Sequence, residues 1–336
     1  MSVRGIIKKA SRPFTSLLLG EIKARAARNS ELLGRMASWQ VRSRERIHSL
    51  SDVEFRVSSQ WGEDGIIDWI VERASVPPRS RSFIEFGVED YRESNTRFLL
   101  QNRNWRGMIM DANPELLVAV RKDGLDRIHD LTVQQVFITR DNINELLERA
   151  TLGSEPGLLS IDVDGNDYWI WEAIEVIRPI ICICEYNAVF GDVHPISVPY
   201  DPGFSRTVAH HSNLYYGASV QALRLLASRK GYQFLGTTSA ANDAFFIRDD
   251  YAEPFISKYI ENIQAYPSFA KESVDRQGVP NYIGGLDRFR QIARTRVVNT
   301  VTGVESELEE LGQVYSAEWK ELMLGQPVGK ISEENS

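Results

Sequence analysis

Leu158-Leu159-Ser160-Ile161-Asp162-Val163-Asp164-Gly165-Asn166-Asp167 joins an apolar run to three acids and an asparagine, and Tyr168-Trp169-Ile170-Trp171 then opens a helical pattern. Buried-strand character that stops abruptly in acids marks the carboxyl edge of a parallel sheet, where open α/β proteins place their chemistry. Carboxylates this close repel one another. A cation, a proton or a donor-rich ligand has to compensate them.

The alternation of strand and helix extends to both sides of this stretch. Upstream, the pattern predicts a helix over 62–74, a strand over 82–87, a helix over 93–102, and a strand over 107–111 that opens into Asn113-Pro114. A strand over 134–138 and a helix over 142–150 complete that side. Downstream come a helix over 168–177, Pro179 as a breaker, a strand over 180–185 and a helix over 217–229. Repeated alternation implies right-handed crossovers and a parallel sheet covered on both faces. The ending differs. Strands over 232–237 and 244–248 are separated by a link too short for a crossover, so they must be antiparallel neighbours. Five parallel strands followed by a terminal hairpin is the layout of the class I methyltransferase sheet, a Rossmann-like α/β fold of seven strands.

At 336 residues the chain accommodates one large α/β domain with extensions, or two modest domains. The organisation expected is a basic helical arm over 1–54, the α/β domain over 55–249, a helical extension over 250–324 and a disordered tail over 325–336. The net charge of −7 hides an asymmetry: eleven Lys/Arg against three Glu give the first fifty residues +8 and leave −15 on the remainder. An acidic body argues against duplex nucleic acid, whose binding rests on phosphate neutralisation. The arm has Pro13 at an expected first break. It either packs on its own domain or a second subunit, as a homo-oligomer contact, or docks on an anionic membrane surface. No apolar run approaches the ~18 residues of a membrane span. Residues 14–19 are too short for a signal-peptide core. The body therefore reads as cytoplasmic, with peripheral contact at the inner membrane surface left open. Cys182 and Cys184 alternate onto one strand face as two small apolar residues.

Candidate chemistry gathers at the strand ends. Glu85 and Gly87 end the first strand; the glycine would let a ligand approach the backbone. Asp111 ends the second, where Rossmann-like folds grip ribose hydroxyls. Asp141-Asn142 follows the third, as a helix cap or at an adenine edge. Asp162 and Asp164 end the fourth and Glu185 the fifth, and hard oxygen ligands on adjacent strands could hold Mg²⁺. Some of these acids would instead accept hydrogen bonds from loop amides. His210-His211, on the loop before the late helix, are the candidate bases, since imidazole titrates nearest neutral pH.

Together these stretches resemble a family. Ser59-Gln60-Trp61-Gly62-Glu63-Asp64-Gly65, Phe83-Ile84-Glu85-Phe86-Gly87, Arg92-Glu93-Ser94-Asn95-Thr96, Trp105-Arg106-Gly107 with Asp111, Ser160 through Asp167, Glu185-Tyr186-Asn187 and Tyr216-Gly217-Ala218-Ser219 look like the FkbM-type S-adenosylmethionine-dependent methyltransferases. The likeness covers about residues 58–248. It implies methyl transfer, commonly to sugar hydroxyls in polysaccharides, glycolipids or natural products. It also implies cofactor contacts at Gln60, Glu85, Gly87, Asn95, Asp111, Asp141 and Asn142, with Asp162 beside the reacting centre. Some related macrolide-sugar methyltransferases hold Mg²⁺ at positions similar to Asp162 or Asp164 with Glu185. One departure is the turn Val88-Glu89-Asp90-Tyr91, where the family usually carries further glycines. Its added negative charge suits a sulfonium better than a dinucleotide pyrophosphate.

Three functions follow as expectations. The leading one is an S-adenosylmethionine-dependent O-methyltransferase acting on a sugar or other small-molecule hydroxyl. The second is a catalytically retired methyltransferase fold serving as a scaffold in glycan assembly. An NAD-dependent sugar enzyme comes third, disfavoured by the missing Gly-x-Gly-x-x-Gly and by the terminal hairpin.

Overall fold

The structure, a computed structural model, describes residues 3–268 and 273–324, with side chains from Glu21 onward except 23 and 24. The expected tail over 325–336 lies outside the described residues. The strands in chain order are β1 (Ser82–Phe86), β2 (Arg106–Asp111), β3 (Leu131–Gln135), β4 (Leu158–Ile161), β5 (Ile181–Glu185), β6 (Ile196–Ser197), β7 (Tyr232–Thr237), β8 (Asp243–Arg248), β9 (Arg296–Asn299) and β10 (Glu305–Glu307).

Seven of them form one sheet in the order β3-β2-β1-β4-β5-β8-β7. β1 to β5 pair in parallel, β8 runs antiparallel to β5, and β7 antiparallel to β8. This is the class I methyltransferase fold, with its reversed strand set beside β5. The order turns around between β1 and β4, so their carboxyl ends open a crevice there, the place where such sheets bind ligands.

Period-two alternation divides the apolar residues between two cores. Ile84, Phe86, Met108, Met110, Leu159, Ile161, Cys182 and Cys184 face one layer of helices. Phe83, Ile109, Leu158, Ile181 and Ile183 face the other. Both cysteines are fully buried and unpaired, as their spacing predicts. Each large side chain removed from water here contributes roughly 1.5–3 kcal/mol.

Three expectations about elements are corrected. The arm forms a helix, Val3–Arg42, that continues through Pro13. A proline removes one backbone hydrogen bond and bends a helix, but does not have to end a long one. The region after β8 is only partly helical: β9 and β10 join β6 in a second, three-stranded sheet. That region is not a separate layer either. Ile292, Val297, Leu308, Tyr315 and Trp319 enter the same core as β4 and β5. The Tyr315 hydroxyl donates to the Val189 carbonyl at 2.8 Å, and Trp319 Nε1 to that of Ala265 at 3.0 Å. Finally, the helix expected over 93–102 begins at Arg97, because Asn95 and Thr96 are held on Glu85 instead.

Candidate active site at the carboxyl ends of the strands

Two clefts meet at the tip of β4. The first, about 740 Å³ with its open mouth, lies between Gly87, Glu89, Asp111, the segment Val136-Phe137-Ile138 and Phe204, with Asp162 and Asp164 at its inner end. Its walls are apolar at Met110, Val136, Phe137, Ile138 and Phe204 and carry a carboxylate at Asp111. That combination fits a flat heteroaromatic base joined to a ribose. The second cleft is polar and is lined by Gln60, Trp61, Glu85, Asn95, Glu185, Arg206, Tyr216, Asp243 and Arg288, among others. Gly87, Glu89, Asp162 and Asp164 belong to both.

Each acid has its own environment. Glu85 is buried and accepts the Asn95 and Thr96 amides at 2.7 and 3.1 Å, along with the Thr96 hydroxyl. Burial still raises its pKa to about 7, because desolvation outweighs those bonds. Asn95 spans the sheet top: its Nδ2 donates to Ser160 Oγ at 3.1 Å and to Asp243 Oδ2 at 3.3 Å. Asp111 accepts the Glu89 amide on Oδ2 and the Asn113 amide on Oδ1, both at 2.7 Å. The atypical turn is thereby fastened to the ribose candidate, and burial together with Asp164 and Asp111 raises the pKa of Glu89.

At the β4 tip the acids divide their tasks. Asp167 is fully buried and accepts the Val163 amide at 2.7 Å and the Gly165 amide at 2.9 Å, so it shapes the loop. Asp162, Asp164 and Glu185 offer oxygens within 4.8 Å of one another. Asp162 and Glu185 are held well above the usual carboxylate range, first by burial and then by neighbouring carboxylates. Glu185 Oε2 is buried without a hydrogen-bond partner. An orphan oxygen among hard donors fits Mg²⁺, which needs few protein ligands. Arg206 already supplies positive charge there: Nη1 donates to Asp164 Oδ1 at 2.9 Å, and the guanidinium lies 3.8 Å above the Tyr216 ring.

Of the residues singled out from the sequence, Gln60, Glu85, Gly87, Asn95, Asp111, Asp162, Asp164 and Glu185 are brought together on these clefts. Gly87 has a different reason from the one expected. Its φ is +74° and a Cβ would stand 1.3 Å from the Asp162 carbonyl oxygen, so the backbone it admits is the chain's own. Asp141 and Asn142 line neither cleft. Asn142 closes a turn, accepting the Thr139 amide at 2.8 Å and donating to the Phe137 carbonyl at 2.9 Å, while Asp141 faces solvent beside Arg140. The residues facing the first cleft from that strand end are Val136 to Ile138. His210 and His211 also miss both clefts. Their ring centres lie 4.3 Å apart with the planes tilted by 38°, and His210 Nδ1 lies 2.7 Å from Ser212 Oγ. Burial and the neighbouring His211 lower the His210 pKa, and its Nδ1 serves the turn by accepting the Ser212 amide at 3.2 Å.

Sequence reasoning missed Asp243, Arg206, Phe137, Phe204 and Arg288, and it gave Tyr216, quoted within the stretch Tyr216–Ser219, no role of its own. A signal existed only for Asp243: an acid opening an apolar terminal strand, directly opposite Glu185 in the β5–β8 register. Asp243 Oδ1 is a second buried oxygen without a partner, and burial and Glu63 raise its pKa well above the usual range.

No family model matches the chain, and no curated protein does. Solved structures are similar at a distance. A putative sarcosine dimethylglycine methyltransferase from Galdieria sulphuraria is 14% identical over 53% of this chain and 62% of its own, with a TM-score of 0.36. PKMT2 from Rickettsia typhi in complex with AdoHcy is 10% identical over 51% and 50%, at 0.33. An S-adenosylmethionine-dependent methyltransferase from Mesorhizobium loti is 12% identical over 56% of this chain and 100% of its own, at 0.34. The chain thus matches about half to three-fifths of the length of the first two. Such distant superpositions carry no argument about activity, and the fold rests on the strand order itself.

Proposed function

We propose that this chain is an S-adenosylmethionine-dependent O-methyltransferase acting on a hydroxyl of a polyhydroxylated acceptor, a sugar unit being the form that best fits the polar cleft. One observation carries the reading: a cleft suited to adenosine and a cleft rich in hydrogen-bonding groups share Asp162 and Asp164 at the β4 tip. The FkbM-type resemblance is consistent with it.

The bound donor supplies an electrophilic methyl group, so the protein's tasks are alignment and proton removal. Asp111 would hold the ribose, with Phe137 and Phe204 beside the base. The acidic surroundings at Glu85 and Glu89 favour a cationic donor. The acceptor hydroxyl would lie in the polar cleft within reach of Asp162 and Glu185. Their raised proton affinity makes whichever of the pair is ionised a stronger base toward that hydroxyl. Mg²⁺ held by Asp162, Asp164 and Glu185 would lower the hydroxyl's pKa further. Arg206 and Tyr216 would position the acceptor from the opposite wall.

Methyl-donor turnover against cell glycans, with and without EDTA, tests this. Expected is transfer by the wild type and a loss of at least about a hundredfold in Asp162→Asn with donor affinity kept. Donor binding without turnover on any acceptor, and indifference to that substitution, would favour the retired scaffold. That second reading draws on Asp111, each of whose oxygens already accepts a main-chain amide.

A further inference from the structure

We propose that the amino-terminal helix docks on an anionic phospholipid surface through the side turned away from the α/β body. Among the described side chains the helix meets that body near its end, where Gly34, Ser38 and Val41 are buried. Gly34 allows the close approach, since a Cβ there would come 2.4 Å from Val57 Cγ2. Residues 25–30 are exposed on every side, so this stretch projects free of the fold.

On the far side stand Ile22, Leu32, Leu33, Met36 and Trp39, all more than half exposed, Trp39 at 80%. At ~100° per residue these five fall in a sector of about 120°, opposite Gly34, Ser38 and Val41. Solvent gains nothing from such a stripe, and a monomeric fold seldom leaves one bare. Charge selects the occupant. Residues 1–50 carry eleven basic side chains against three acidic ones. Arg25 lies inside the apolar sector and Arg28 on its flank, and neither has an acidic partner among the described residues. A second copy of the helix would set these arginines against like charges. Anionic headgroups would neutralise them while the apolar side chains enter the acyl boundary and the indole sits at headgroup level. No described helix is long and apolar enough to cross a membrane, so the contact is lateral. The remaining chain, at −15, would be held off the same surface. The docking is independent of the chemistry at the strand tips.

The test is sedimentation of the full chain with vesicles of phosphatidylcholine alone and with added phosphatidylglycerol, alongside light scattering of the free protein. Expected is partitioning that rises with phosphatidylglycerol and falls with salt. The exposed pair Met36→Glu and Trp39→Glu should weaken it at least about tenfold. Arg25→Glu with Arg28→Glu should remove the phosphatidylglycerol dependence, with circular dichroism unchanged throughout. Failure to bind either vesicle would overturn the proposal. So would binding unaffected by these variants, or a dimer that the Met36/Trp39 pair converts to monomer, which would make a second copy the occupant.

Discussion

At Gly87 the chain has no room for a side chain, and the reason separates two readings of a glycine after β1. If its purpose were ligand approach, Gly87→Ala would fold normally and lose only cofactor affinity. With φ at +74° and the Asp162 carbonyl in the place of a Cβ, the substitution should instead cost at least about 3 kcal/mol in urea unfolding. Glu85 yields a second prediction at this scale. Burial raises its pKa from 4.5 to about 7, so the native chain keeps a proton the unfolded chain releases. Its contribution to stability is full below pH 4.5 and is lost as pH rises through about 7. Each tenfold difference in proton affinity between the two states corresponds to about 1.4 kcal/mol. A cationic donor favours the ionised form, so donor affinity should rise between about pH 6 and 8. Proton release measured in two buffers of different ionisation enthalpy checks it, and Glu85→Gln should flatten the trend. The acids at the strand ends were legible in the sequence because carboxylates after apolar runs have few structural uses. Arg206 and Arg288 were not, since nothing local tells where a long loop or a late helix folds back.

Elements were legible where their apolar residues alternate between two covered faces, as in β1, β2, β4, β5 and β8. They were obscured where the chain is short and half-exposed. β9 is four residues inside what reads as a helical pattern, and it exists because β6 presents an edge to it. β3 likewise ends earlier than its apolar run, and the run's last three residues turn to face a cleft instead. The helix Val220–Lys230 depends on Ser219, whose Oγ accepts the amides of Ala222 at 3.2 Å and Ile196 at 3.1 Å and donates to the His194 carbonyl at 2.7 Å. One hydroxyl thus caps a helix and fastens β6 to it. Ser219→Ala should cost about 1–2 kcal/mol in thermal or urea unfolding, whereas an exposed serine would cost almost nothing.

For the whole molecule, the reversal of strand order between β1 and β4 gathers acids from four strand ends around one crevice. Folding desolvates Glu85, Asp162, Glu185 and Asp243, which are left with raised proton affinity, two orphan oxygens and a guanidinium as partial compensation. A cationic methyl donor would complete that balance. Calorimetric titration of the full chain with S-adenosylmethionine tests this most directly. The account predicts one-to-one binding, weakened at least about tenfold by Asp111→Ala through loss of the ribose contact while circular dichroism is unchanged. Absence of any heat at millimolar donor, with the wild-type fold intact, would contradict it.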